Sequence, residues 1–340
     1  MIGIFLDQFL CSLFEMNSTE SDDFLISLAS WLQLKSEKWF VAAVSNRTHQ
    51  LLFEDQKLIQ QAHLIANARS FVNAETIMSS IFTLIDQPTS EDKFGVVDIL
   101  ASNMELSPSL GNIECNAELC NDIKAVLETS LAIGTYAVNM NKEIPLRFSS
   151  FKTKSKLFVQ EIEADLYVEL IESDGQIGEY EASLSASIWT CPTAKEFLIS
   201  VDPVQEWIRS KSVDGLRLSI KAACAKLADK LNKEIEWKEL DAFAFHPKFL
   251  EYLWDHGFNN EPRKIRRLLR ACAETILKLN LDAVHALRTT SSGGARQRLR
   301  GNDKAFRRDI DYEYHLHYWD TADGPQFCTV GPHEYFDIPS

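Results

Sequence analysis

Phe306–Val330 reads FRRDIDYEYHLHYWDTADGPQFCTV. Within it Phe306–Ile310, Tyr312–Trp319 and Gln326–Val330 carry strand-like runs, and Asp323-Gly324 supplies a tight turn between the last two. The run therefore predicts successive antiparallel strands. In the middle strand Glu313, His315, His317 and Trp319 share one face, while Leu316 and Tyr318 take the other. The expectation is a sheet that shows its histidines outward and turns its apolar residues toward helices.

Upstream of this meander, Ala242–Phe245 reads as a short strand and Pro247–His256 as a helix. After a turn at Gly257–Asn260, Pro262 sits where a first-turn helix proline belongs. Arg263–Leu279 then places Ile265, Leu268, Leu269, Cys272 and Ile276 on one face. Arg263, Lys264, Arg266, Arg267 and Arg270 fall on the others, and Ser291–Gly294 reads as a flexible loop. The order is strand, two helices, then the meander, an α+β unit over residues 241–340.

Residues 1–240 read as a mixed α/β domain of undefined topology. Asp22–Leu34, Asp55–Asn67 and Ala117–Tyr136 have helical spacing, and Lys38–Val44 reads as a buried strand. Lys156–Glu172 and Glu179–Trp189 alternate about the turn Ser173–Gln176, which predicts a hairpin. Asp214 is a candidate cap for a helix running to about Asn232. Pro88–Glu91 and Asn139–Pro145 read as loops, and there is no repeat or phosphate-binding glycine loop.

Charge divides the chain along the same line. The net charge is −14, and residues 1–240 account for all of it, with 21 basic against 35 acidic residues. Residues 241–340 balance at 14 of each, yet Pro262–Arg308 holds 13 basic and 3 acidic, a local +10. An acidic body with one basic stripe points to a nucleic-acid surface. No apolar run reaches the ~18–20 residues of a membrane span, and the apolar start MIGIFLDQFLCSLF has Asp7 and no basic flank, unlike a secretory signal. Seven cysteines without a C-x-x-C pair argue for reduced core thiols in a cytoplasmic protein.

Six of the eight histidines follow residue 245. His285, His315, His317 and His333 lie among Arg288, Arg296, Arg298, Arg300, Arg307 and Arg308, with Tyr312, Tyr314, Tyr318, Trp319 and Tyr335 interleaved. Arginines neutralise phosphates, aromatic rings stack on unpaired bases, and histidine moves protons near neutral pH. These are the side chains an RNA-cleaving surface needs. A metal site on His315 and His317 with Asp309, Asp311 or Glu313 is an alternative, as is a binding surface without catalysis.

Four motifs give this part of the chain a family likeness: Leu299-Arg300-Gly301, Phe306-Arg307-Arg308-Asp309-Ile310, Glu313-Tyr314-His315-Leu316-His317-Tyr318 and His333-Glu334-Tyr335. On them, Ala242–Ile338 resembles the RelE/ParE superfamily of bacterial toxins, its YoeB-like members most closely. Residues 1–240 carry no such resemblance. The likeness implies a helical hairpin packed on an antiparallel sheet and cleavage of messenger RNA, ribosome-bound in that family, without a metal or other cofactor. By position His285 takes the place of the general base, a glutamate in YoeB-like toxins, and His333 that of the terminal acid. His315 stands where the family has its key arginine, so the phosphate role passes to Arg307, Arg308 or Arg288. Arg288, Arg296, Arg298, Arg300, His317 and Tyr335 then form the substrate-binding set. The acidic first domain would mask the basic surface or bind a protein partner such as an antitoxin, as suits a toxin or anti-phage effector. ParE-like relatives bind gyrase instead of cutting RNA, which keeps the non-catalytic reading open.

Overall fold

The computed structural model describes residues 2–6, 9–10, 13, 20–53, 56–69, 71–86, 89, 96–107, 133, 147–149, 158–172, 174–290 and 295–339. The expected helix at Ala117–Tyr136 lies outside these residues except for Ile133, as do the loops at Asn139–Pro145 and Ser291–Gly294 and all of Pro88–Glu91 except Thr89. The chain divides into two compact units, Met1–Phe197 and Leu198–Ser340.

In the first unit β1 (Ile2–Phe5) is followed by α1 (Ser21–Lys35), β2 (Phe40–Ala43), α2 (Asn46–Phe53), α3 (Lys57–Ala68) and α4 (Ala74–Ile85). Strands β3 (Val96–Ser107), β4 (Arg147–Ser149), β5 (Phe158–Glu172) and β6 (Ile177–Cys191) complete a six-stranded sheet ordered β2-β1-β4-β6-β5-β3. The run β2-β1-β4-β6 is parallel and the β6-β5-β3 side antiparallel, so the sheet is mixed. The expected hairpin is β5–β6, turned at Gly175, whose φ of +82° suits a residue without a side chain. Helix α4 starts at Asn73, whose side chain accepts the Thr76 amide at 2.7 Å. Trp31 and Phe40 stack, with Phe197 edge-on to both, in the buried core. A cavity of about 580 Å³ lined by residues such as Phe53, Met78, Phe82, His49 and Glu75 gathers none of the site residues named above.

The second unit begins with the last residues of α5 (Ala194–Ser200), then α6 (Pro203–Ser210), α7 (Val213–Lys230) and α8 (Trp237–Asp241). It therefore starts earlier than residue 241. The reason is α7, a helix buried on most of its circumference by Leu216, Leu218, Ile220, Ala222, Cys224 and Ala228. A helix buried over most of its circumference belongs in a core, not at a domain edge. Its cap is Ser212, which accepts the Gly215 amide; Asp214 lies in the first turn. Lys221, fully buried, crosses to Asp241 at 2.7 Å and packs over the Trp237 ring, tying α7 to α8. Trp207 of α6 donates its indole N–H to the Phe258 carbonyl at 2.7 Å.

Next come β7 (Ala244–Phe245), α9 (Phe249–Asp255) and α10 (Pro262–Ile276), with Pro262 in the first turn of α10. Strands β8 (Val284–Ala286), β9 (Leu299–Arg300), β10 (Asp303–Asp309), β11 (Tyr314–Thr321) and β12 (Gly324–Pro332) follow. The second sheet is ordered β7-β12-β11-β10-β8, with β9 on β10. The meander β10-β11-β12 is antiparallel, while β7 runs parallel to β12. The unit is thus mixed α/β with a mixed sheet, not a wholly antiparallel one. Gly324 turns the last hairpin at φ +111°, and a Cβ there would lie 2.0 Å from the Ala242 carbonyl oxygen. Among the described residues no helix is long and apolar enough to cross a membrane.

Candidate functional site

Strand alternation sorts the meander's side chains into two faces. Toward α10 lie Phe306 and Arg308 of β10 with Leu316 and Tyr318 of β11; Phe306 stacks on Tyr318 at 5.9 Å. The fully buried Arg308 donates to Glu274 Oε2 of α10 at 2.9 Å and to the Leu279 carbonyl at 2.7 Å. Glu274 is itself held by Arg270 at 2.8 Å. Arg308 is therefore a clamp between sheet and helix and does not join the histidines, contrary to the catalytic role considered for it. Adjacent strand residues point to opposite faces, so Arg307 and Arg308 could not both serve one site.

The other face carries Arg307 and Asp309 of β10, His315 and His317 of β11, and His285 of β8. Arg307 pairs in register with both His317 and His285, and Asp309 with His315. His315 and His317 share a face, as expected, but neither side chain is exposed. The chain beyond β12 folds back across them. His317 Nδ1 donates to the Asp337 carbonyl at 3.0 Å, and the Tyr335 ring stacks on the imidazole at 5.8 Å. Trp319 Nε1 donates to the Pro339 carbonyl at 2.9 Å, and Ile338 and Phe336 pack with Leu287, Ala305, Trp319 and Cys328. The tail makes the histidine face a second core layer, which strand periodicity could not show.

Four ionisable groups emerge from this layer as a row. His285 Nε2 lies 3.6 Å from Asp309 Oδ2, and Asp309 Oδ1 lies 2.9 Å from His315 Nε2. The second distance is short, but the pair is out of alignment for a hydrogen bond, so the contact is electrostatic. The His315 ring then meets His333 edge-on, centroids 4.1 Å apart. His285 is half exposed and His333 exposed, while His315 between them is buried. Burial, His333 and Arg307 push the His315 pKa down to about 4, against the opposing pull of Asp309. His315 is thus neutral at pH 7 and cannot replace a fixed cation. Arg307, on the same face and with its guanidinium 5.6 Å from the Phe336 ring, is the arginine nearest in register.

The remaining arginines lie toward β9. Arg298 pairs with Asp337 at 2.8 Å, and Arg300 pairs with Asp303 at 2.9 Å while covering the Trp319 ring at 4.8 Å. Arg288 donates to the Ala295 carbonyl at 2.9 Å, and Arg296 is exposed. The sequence reading passed over Asp309 as an acid–base partner. Its signal was present: Asp309 is two residues from Arg307, hence on the same strand face, and one hairpin register opposite His315.

Of the carboxylates considered for a metal, Asp311 is engaged elsewhere. Asp311 accepts Arg267 at 2.8 Å and the Glu313 and Tyr314 amides. Among the described residues no group of three or more His, Cys, Asp or Glu side chains is arranged to hold a metal ion. Cys191, Cys224, Cys272 and Cys328 are buried free thiols. No family model, no curated protein and no solved structure matches this chain.

Proposed function

We propose that the second unit is a metal-independent endoribonuclease module of the kind its resemblance to RelE/YoeB-like toxins implies. The observation that carries this reading is the His285–Asp309–His315–His333 row, with an accessible imidazole at each end and a half-exposed carboxylate and a buried imidazole between. His285 takes the proton of a ribose 2′-hydroxyl as that oxygen bonds to phosphorus. The bond from phosphorus to the 5′-oxygen breaks, and His333 supplies the proton that the leaving oxygen needs. The products are a 2′,3′-cyclic phosphate and a free 5′-hydroxyl. Each proton transfer contributes typically ~10²–10⁴-fold. Arg307 provides the fixed positive charge for the phosphorane-like transition state. Asp309 is a positioning residue, set between His285 and His315 to orient His285. In this reading the acidic first unit, Met1–Phe197, binds a protein partner or masks the basic surface.

The test is cleavage of a labelled RNA by the full chain. His285→Ala or His333→Ala should abolish cleavage and cellular toxicity, and EDTA should change little. RNA binding without cleavage in any variant would replace the enzyme by a binding module. Loss of activity on EDTA treatment would replace it by a metal-dependent nuclease.

A further inference from the structure

A groove of about 420 Å³, lined by Thr289, Arg296, Arg298, Arg300, Trp319 and Ile338 among others, is joined to the histidine layer through Arg298 and Asp337. We infer that this groove holds one nucleotide of the single-stranded RNA next to the scissile bond, an assignment that rests on the ribonuclease reading and specifies its substrate site. Three observations carry it. First, its volume falls in the ~300–1,000 Å³ range of clefts that enclose small ligands, too small for a duplex. Second, its cations are arranged for a phosphate and a base together. Arg296 is exposed, and Arg300 lies over Trp319, so its planar guanidinium covers the indole. A guanidinium plane is a stacking platform for an unpaired base. Third, the groove is wired to the histidine layer through one residue. Asp337 accepts Arg298 with its carboxylate and His317 with its carbonyl.

Asp337 is also a competitor. Its side chain is 74% exposed and neutralises Arg298 where an incoming phosphate would bind. This makes a gain of affinity the discriminating test, because a damaged fold cannot bind more tightly. The full chain carrying His285→Ala, so that binding is read without turnover, is titrated into a fluorescein-labelled oligouridylate at several salt concentrations. Arg296→Ala should weaken binding about fivefold or more and reduce the salt slope by about 0.7, the loss of one single-strand phosphate contact. Asp337→Asn in the same background should tighten binding severalfold. Lys230→Ala, an exposed charge in the last turn of α7 outside the groove and the basic stripe, should change neither.

Unchanged affinity in both groove variants would overturn the site. Displacement of the RNA by polyglutamate at equal charge concentration, or preference for a duplex of the same length, would overturn its assignment to single-stranded RNA. Binding that responds as expected in a protein that never cleaves RNA would leave the groove standing and remove only the ribonuclease reading. Cleavage with unresponsive groove variants would do the reverse.

Discussion

Acid should loosen the second unit through His317, and the size of the effect follows from the imidazole's surroundings. The Asp337 carbonyl can only accept, so Nδ1 carries the hydrogen and Nε2 is bare, buried and without a partner. Protonating Nε2 would bury a charge and a donor with nothing to receive it. Burial, helped by His315, Arg307 and Arg298 and opposed by the bond to Asp337, lowers the pKa from 6.5 to about 4. A histidine with a depressed folded pKa gives its full stability above the unfolded value and loses it as pH falls toward the folded one. Between pH 6.5 and 4 the unfolded chain binds the extra proton, and the native state is penalised by about 3 kcal/mol at ~1.4 kcal/mol per pKa unit. His317→Gln keeps an amide donor for Asp337 but does not titrate. Hydrogen exchange of the β11 amides at pH 7, 6, 5 and 4 reads the opening free energy of this unit directly. The difference between wild type and variant should change by about 3 kcal/mol across the window, and the His317 ring carbons should titrate near pH 4 by NMR. Titration near 6.5, or an equal acid loss in His317→Gln, would refute the reasoning.

Three other outcomes are expected. Glu274→Ala leaves Arg308 buried without its countercharge and should cost about 3–5 kcal/mol, whereas Arg308→Met with Glu274→Leu should recover most of it in denaturant melts; equal losses would deny the clamp. Gly331 faces His315 across the hairpin, and a Cβ there would lie 2.4 Å from Tyr335 Cδ1 and 2.9 Å from its Cβ. Gly331→Ala should therefore lift the tail and expose it to carboxypeptidase, with Tyr335→Ala restoring protection; an equally resistant tail would show that it is not held this way. Asp309→Asn removes the shared carboxylate between His285 and His315 and should lower kcat for RNA cleavage roughly tenfold or more with KM unchanged and the pH profile shifted. A change in KM alone would assign Asp309 to binding.

Much of the second unit was legible in the sequence because its signals are local. The Asp323-Gly324 turn, the period-two runs around it and Pro262 before an amphipathic run each depend on residues within a few positions of one another, and they located β10–β12 and α10. The same periodicity placed His315 and His317 on one face. Residues that declare themselves only through distant partners were not legible. Helix α7 reads as a capped helix of the first 240 residues, and only its packing shows that it belongs to the core of the second unit.

Composition and spacing by themselves determined a basic stripe leading into a histidine-bearing meander, appended to an acidic chain, because charge and strand period survive without any knowledge of neighbours. Tertiary structure decided which of those charges can act. It turned Arg308 inward onto Glu274, folded the tail over His317, and set Asp309 between His285 and His315. The physical reason is that a strand offers each side chain one of two faces, and what covers each face is contributed by residues far away in the chain. A histidine on an uncovered strand would be a surface base; beneath Tyr335 and Asp337 it is a neutral core residue, and the rings that stay accessible are His285 and His333 at the row's ends.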